Sequence, residues 1–259
     1  MPDKSHIIII GWNDFSMQVA TQVLNADKRV VVISDRENPD HKTMAGFVSR
    51  GDLLFFGCGY YDFEKIKDAD VEHALAVLIN LETDTEKLKY VIPFNKHFGK
   101  KETVVPINNA NLKETFSKAG VRYPLSKNEL AGKILSGFLF EKDVAVYCKD
   151  LLSSAETDDA YDVQQFYITA DSPLRNKTFG QAFRELREDF NTVLIGIEKA
   201  ATSTQKATLL KNPPSQTPVN EGDYIIVILD GNSADKISQY LSVTEGVQLA
   251  SKIHAGDVT

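Results

Sequence analysis

The sequence predicts an α/β protein: a doubly wound parallel sheet, followed by a smaller α+β lobe. Three observations predict it. Short apolar runs alternate with helical patterns five times in the first half. Those runs are continuous rather than alternating, as in strands buried on both faces of a parallel sheet. Beyond about residue 125 the pattern changes to two adjacent apolar helices, a polar acidic stretch, and a new set of strands and helices. Repeated strand–helix–strand units close most readily as right-handed crossovers in one sheet.

The elements are read in order. His6-Ile-Ile-Ile-Ile-Gly11 is the first strand, and Met17, Val19, Ala20, Val23 and Leu24 form the apolar stripe of the helix after it. Arg29 to Ser34 is the second strand, with a short helix at Lys42 to Arg50. Leu53 to Gly57 is the third, with a short helix near Phe63 to Lys67. Leu75 to Asn80 is the fourth. The next helix starts at Thr83, where Thr83-Asp-Thr-Glu86 is a capping box, and Pro93 is expected to kink or shorten it. Thr103 to Ile107 is the fifth strand, and a helix from Asn111 to Lys118 stops at Gly120.

Ser126 to Phe140 then reads as a helix capped by Ser126, with Glu129 at the box position. Val144 to Leu152 reads as a second. The pair either closes the first domain or forms a subunit interface. The expected domains are 1–125, the helix pair 126–152, a linker 153–162, a C-terminal lobe 163–245 and a frayed tail 246–259. In that lobe, strands are expected at Gln164 to Thr169, Thr192 to Ile197, Ala207 to Leu210 and Tyr224 to Leu229. Helices are expected at Phe179 to Glu188 and Ser233 to Leu241.

Composition narrows the function. The chain has 259 residues, 42% hydrophobic and 25% charged, which suits packed domains rather than disorder. A formal net charge of -7 repels phosphate backbones, so nucleic acid is not an expected partner. The two cysteines, Cys58 and Cys148, form no CxxC pair and fit a reduced, cytoplasmic chain. The five histidines lack metal-ligand spacing, so no metal site is expected. No signal peptide is visible, and no apolar run is long enough to insert directly into a membrane.

The chemistry concentrates at the first strand-to-helix turn, Gly11-Trp12-Asn13-Asp14-Phe15-Ser16. In a Rossmann-type unit this turn aims backbone N–H groups at a phosphate. Of the usual GxGxxG only Gly11 is kept; Asn13 holds the second glycine position and Ser16 the third. Asn13 is expected to tolerate a left-handed backbone there. The turn either cradles a phosphate or has lost its nucleotide. Asp35, after the second strand, is placed to accept hydrogen bonds from ribose hydroxyls, with Arg36 beside it; it is otherwise an acidic turn residue. Gly57 and Cys58, Asn80 and Asn108 end the third, fourth and fifth strands, on the edge where open α/β sheets bind ligands. No catalytic residue is assigned, because no Tyr-x-x-x-Lys pair, GxSxG elbow or P-loop is present.

These residues together resemble the regulator of potassium conductance (RCK) domain. The resemblance is carried by HIIIIGW, VVVISD and FFGCGYYDFEKIKDADVEHALAVLINLETDTE. The C-terminal half adds Phe166-Tyr-Ile with Ser172-Pro-Leu, then Leu194 to Ile197, then Glu221 to Val227. Gly11-Trp12 with Asp84-Thr-Glu86 looks more like channel gating rings than uptake subunits. The resemblance spans about residues 4 to 245. It implies a dimer formed through a crossover helix pair at Ser126 to Leu152, and further assembly into a tetrameric or octameric ring. It implies a potassium channel or transporter pore as partner, at the inner face of the cell membrane. It also implies an adenine nucleotide or NAD as ligand.

Departures from the family bear on the ligand. An acid common after the third strand is Cys58 here, and calcium-gated members carry acids where this chain has Pro106 and Asn108. Calcium favours carboxylate oxygens, so it is not supported. The cluster Glu156, Asp158, Asp159 and Asp162 reads as a solvated linker or, alternatively, a cation site. The readings carried forward are a gating module of a potassium channel, a regulatory subunit of an uptake transporter, an NAD-dependent oxidoreductase, and a homologue that assembles without ligand.

Overall fold

The computed structural model describes residues 6–35, 44–152 and 160–246. The chain forms two compact units, Met1–Val146 and Tyr147–Thr259.

The first unit holds six parallel strands: β1 (His6–Ile10), β2 (Arg29–Ser34), β3 (Leu53–Gly57), β4 (Ala76–Ile79), β5 (Thr103–Ile107) and β6 (Tyr123–Ser126). Their order is β3-β2-β1-β4-β5-β6. The chain moves outward from β1 to β3 and then crosses back to β4. The reversal between β1 and β4 opens a crevice at the carboxyl ends of those strands.

Continuous apolar strands have two faces to bury, and alternate residues divide between them. Ile8, Ile10, Val31, Ile33, Val77, Ile79, Val105 and Ile107 belong to one core cluster, with Tyr90, Val91 and Phe94 of α4 (Asp84–Phe98). Ile9, Val30, Val32, Leu53 and Leu78 belong to the other, with Ala20 and Leu24 of α1 (Asp14–Asn25). Each such aliphatic, removed from water, contributes about 1.5–3 kcal/mol before entropy is counted.

Shorter helices complete this unit: α2 (Ala45–Arg50), α3 (Phe63–Ile66) and α5 (Lys113–Lys118). The expected start of α2 at Lys42 lies outside the described residues. The capping box of α4 is present in both directions between Thr83 and Glu86. Pro93 does not end α4, which runs on to Phe98 because Val91 and Phe94 on either side of it are fully buried.

The sixth strand was not among the five expected. Tyr123-Pro-Leu-Ser is short, contains a proline and has no β-branched run. It pairs only with β5, on the sheet edge, where Pro124 is tolerated. Ser126 ends β6 and also caps α6 (Lys127–Phe140) by accepting from the Glu129 backbone N–H at 3.3 Å. The Glu129 carboxylate pairs with Lys113.

α7 (Lys142–Leu151) follows after one residue. Gly137 permits the close approach of the pair, since a Cβ there would lie 3.1 Å from the Cβ of Ala145. No residue of α6 is buried. Leu135, Leu139 and Phe140 are 63%, 87% and 73% exposed.

The second unit has a four-stranded antiparallel sheet, β7 (Tyr161–Tyr167), β8 (Val193–Lys199), β9 (Thr208–Lys211) and β10 (Tyr224–Asp230), in order β7-β10-β8-β9. Helices α8 (Phe179–Phe190) and α9 (Gly231–Leu241) pack on it around Phe166, Leu186, Leu194, Val227 and Ile237. Asp223 is buried and accepts from the backbone N–H groups of Asn220 and Ala200 while paired with Lys199, fixing the Asn220–Asp223 turn. Of the acidic cluster, Asp162 is buried in β7 rather than solvated. Glu156, Asp158 and Asp159 lie outside the described residues, as does the tail after Gly246.

Candidate functional site

The carboxyl edge of the first sheet gathers most of the residues singled out from the sequence. Gly11 closes β1 with φ +93°, and a Cβ would stand 2.5 Å from the Asn80 carbonyl oxygen. Only glycine fits there on both counts. Its N–H donates to the Ile33 carbonyl at 3.0 Å, which ties the turn to β2.

Asn13 is the N-cap of α1, at φ -155° and ψ -178°. The left-handed backbone that Asn13 could adopt is not used, because a capping side chain needs an extended backbone. Its Oδ1 accepts from the Ser16 N–H at 3.0 Å and from Asn80 Nδ2 at 2.9 Å. Asn80 Nδ2 also donates to Ser16 Oγ at 2.8 Å, and that hydroxyl donates to the Gly11 carbonyl at 2.7 Å. Ser16 and Asn80 are buried, so this closed network shapes the turn from within. Asp14 and Phe15 are exposed at the first turn of α1, and the Lys127 ammonium lies 5.3 Å from the centroid of the Phe15 ring. Trp12 turns away to meet Phe55 edge-on at 5.1 Å and packs into the core beneath.

Asp35 is exposed at the end of β2 and accepts from the Tyr60 hydroxyl at 3.0 Å. Partial burial and the Asp35 carboxylate both push the Tyr60 phenol up, so it stays a donor. Arg36 lies outside the described residues. Gly57 is exposed, and its carbonyl accepts from Lys65 at 3.0 Å. Cys58 is buried; burial pushes its thiol up, with Lys65 opposing and Asp62 adding to the effect.

Asn108 is exposed, but its backbone is committed. Its N–H donates to both Asp84 carboxylate oxygens, at 3.1 and 3.0 Å, and the Asn109 N–H adds a third bond at 2.9 Å. The buried Lys87 ammonium donates to the Pro106 carbonyl at 2.7 Å and lies 3.5 Å from Asp84. Burial raises the Asp84 carboxyl, but the Asn109 and Asn108 N–H groups and Lys87 outweigh it and hold the carboxyl below its ordinary value. Loss of water in turn pushes Lys87 down.

Sequence reasoning missed Tyr60, Lys87 and Lys127 at this edge. Lys127 directly follows the Ser126 cap, and Lys87 is one charge among several in the helix that starts at Thr83. Asp84 stood out only as part of a marker motif. The sequence signal was the spacing of Asp84 and Lys87 on one helix face, but what they hold comes from another strand.

Residues 7–127 match the family model of the TrkA-N domain. Among solved structures, the human SLO3 gating ring is similar over 92% of this chain and 46% of its own, at 15% identity and a TM-score of 0.62. The GsuK channel bound to NAD is similar over 93% of this chain and 39% of its own, at 16% identity and a TM-score of 0.46. The TrkA-N domain of the inner membrane protein ybaL from Escherichia coli covers 54% of this chain at 15% identity and a TM-score of 0.44, and is matched over its whole length. This chain thus spans under half the length of the two channel proteins. Residues 7–127 resemble the TrkA-N domain, and the chain shares the fold of the human SLO3 gating ring.

Proposed function

We propose that the chain is a ligand-sensing regulatory module, not an enzyme, which binds a nucleotide at the β1–β4 switch point and passes a conformational change to a potassium pore. The observation that carries the reading is a glycine-only turn at Gly11, where β1 ends, beside the exposed Asp35 carboxylate held by Tyr60 where the neighbouring β2 ends. A carboxylate at the end of β2 suits ribose hydroxyls as donors, and the Tyr60 hydroxyl holds that carboxylate in place. The nucleotide is an adenine nucleotide or NAD. Gly11, Trp12, Asn13, Asp14, Phe15, Ser16, Asp35, Arg36, Gly57, Cys58, Asn80 and Asn108 make up or support its site.

The non-enzymatic reading is supported by how the edge residues are used. Asn80, Ser16, Asp84 and Lys87 hold the turns in place rather than presenting a proton relay. Self-association is supported by the exposed apolar side chains of α6 and α7, Leu130, Leu135, Leu139, Phe140 and Val144 among them. Residues 126–152 then serve as the dimer interface, and dimers build the ring. The module sits in the cytoplasm, under the pore. Among the described residues no helix is long and apolar enough to cross a membrane, so the pore is supplied by another segment or chain.

A thermal-shift panel with AMP, ADP, ATP, NAD and NADH tests the site. A ligand that binds only the native state raises the melting temperature by mass action, by about 2.7 kcal/mol of stability at a hundredfold excess over Kd. At least one nucleotide is expected to do so, with the effect lost in Asp35→Ala. No shift from any of them removes the nucleotide reading and leaves a module that only assembles.

A further inference from the structure

The nucleotide reading above leaves the number of phosphates open, and Asn13 bears on it. In a dinucleotide fold, the second glycine of the turn has no side chain, so the pyrophosphate reaches the helix N-terminus. Here Asn13 stands at that position, exposed, and its Oδ1 already accepts the Ser16 N–H at 3.0 Å. The carboxamide oxygen therefore holds the place a phosphate oxygen would take. It is not free to swing away. Asn80, buried at 3% exposure and fixed through its backbone N–H to Ile10, donates to that same oxygen at 2.9 Å. The exposed Asp14 carboxylate in the first turn of α1 adds like-charge repulsion to an approaching diphosphate.

We infer that Asn13 is a specificity-determining residue that closes the α1 N-terminus to a pyrophosphate, so the site takes an adenine nucleoside or its monophosphate in preference to a nucleoside diphosphate or a dinucleotide. The nucleoside part is held from the Asp35–Tyr60 side. The Lys127 ammonium, 5.3 Å from the Phe15 ring centroid, offers a charge partner for a single phosphate.

Isothermal titration of the full chain with adenosine, AMP, ADP and NAD tests this against Asn13→Gly. Glycine is an adequate N-cap, so the helix is expected to survive. Wild type is expected to bind adenosine or AMP about tenfold or more tightly than ADP or NAD. Asn13→Gly is expected to gain about tenfold for ADP and NAD relative to adenosine. Asn13→Ser keeps a capping oxygen but, being shorter, loses the reach to Asn80; it is expected to fall between the two. Equal binding of NAD by wild type and Asn13→Gly overturns the inference and leaves the nucleotide reading standing, as does an equal gain for adenosine. Binding of nothing by any of the proteins overturns both.

Discussion

At the scale of single residues, Gly11, Asn80 and Asp84 do most to shape the crevice. Gly11→Ala places a methyl 2.5 Å from a backbone carbonyl at a φ that side chains avoid. It is expected to cost about 2–4 kcal/mol in urea unfolding. A loss below about 1 kcal/mol would show that the β1–β4 edge yields easily. Asn80→Asp replaces a buried donor to two oxygens by an acceptor facing them. A loss of about 2–4 kcal/mol is expected at neutral pH, because two bonds go and a carboxylate is left without donors.

Asp84 gives a pH dependence whose sign can be worked out. Its carboxyl is held below its ordinary 3.8 in the folded state. A depressed carboxyl contributes stability that is complete above the unfolded value and is lost as pH falls through the folded one. Wild type should therefore exceed Asp84→Asn in stability at about pH 6, and the gap should shrink below about pH 4. Chemical unfolding of both proteins across that range measures it; a gap unchanged into acid would mean that the three N–H bonds contribute nothing through charge.

At the scale of elements, the helix starts are written in side chains. Thr83 and Thr178 each form a reciprocal box, with Glu86 and Gln181. Either residue changed to alanine is expected to lose about 1 kcal/mol, read as a lower Tm with the fold intact by circular dichroism. The two losses should add, because the boxes lie in different compact units. Pro93 makes a second element-level point. A proline inside a helix lacks the N–H for one backbone bond, yet α4 continues because its apolar face is buried on the sheet. Tertiary burial decided the length of that helix against local propensity.

At the scale of the whole molecule, the exposed apolar side chains of α6 and α7 bear on assembly. Leu135 and Leu139 are exposed in the single chain, so Leu135→Asp with Leu139→Asp should leave monomer stability within about 0.5 kcal/mol of wild type. If the helix pair is the dimer interface, light scattering will show wild type as a dimer or larger and the double variant as a monomer. A double variant with wild-type mass would move the interface elsewhere.

The sequence by itself determined the sheet and the position of the crevice. Ile8 to Ile10, Val30 to Ile33 and Val77 to Ile79 are apolar without interruption, and only a sheet covered on both faces buries such runs. Gly11 and Asp35 were legible for the same reason, since their positions follow from where the strands end. β6 was not legible, because a four-residue edge strand with a proline needs β5 beside it before it has any reason to extend. Tertiary structure alone decided the fate of polar side chains whose partners are distant in the chain. Asn80 reaches Asn13 and Ser16, Asp84 reaches Asn108 and Asn109, and Tyr60 reaches Asp35. A hydrogen bond forms only when donor and acceptor are within about 3 Å, and that distance is set by how the strands stack, not by any local pattern.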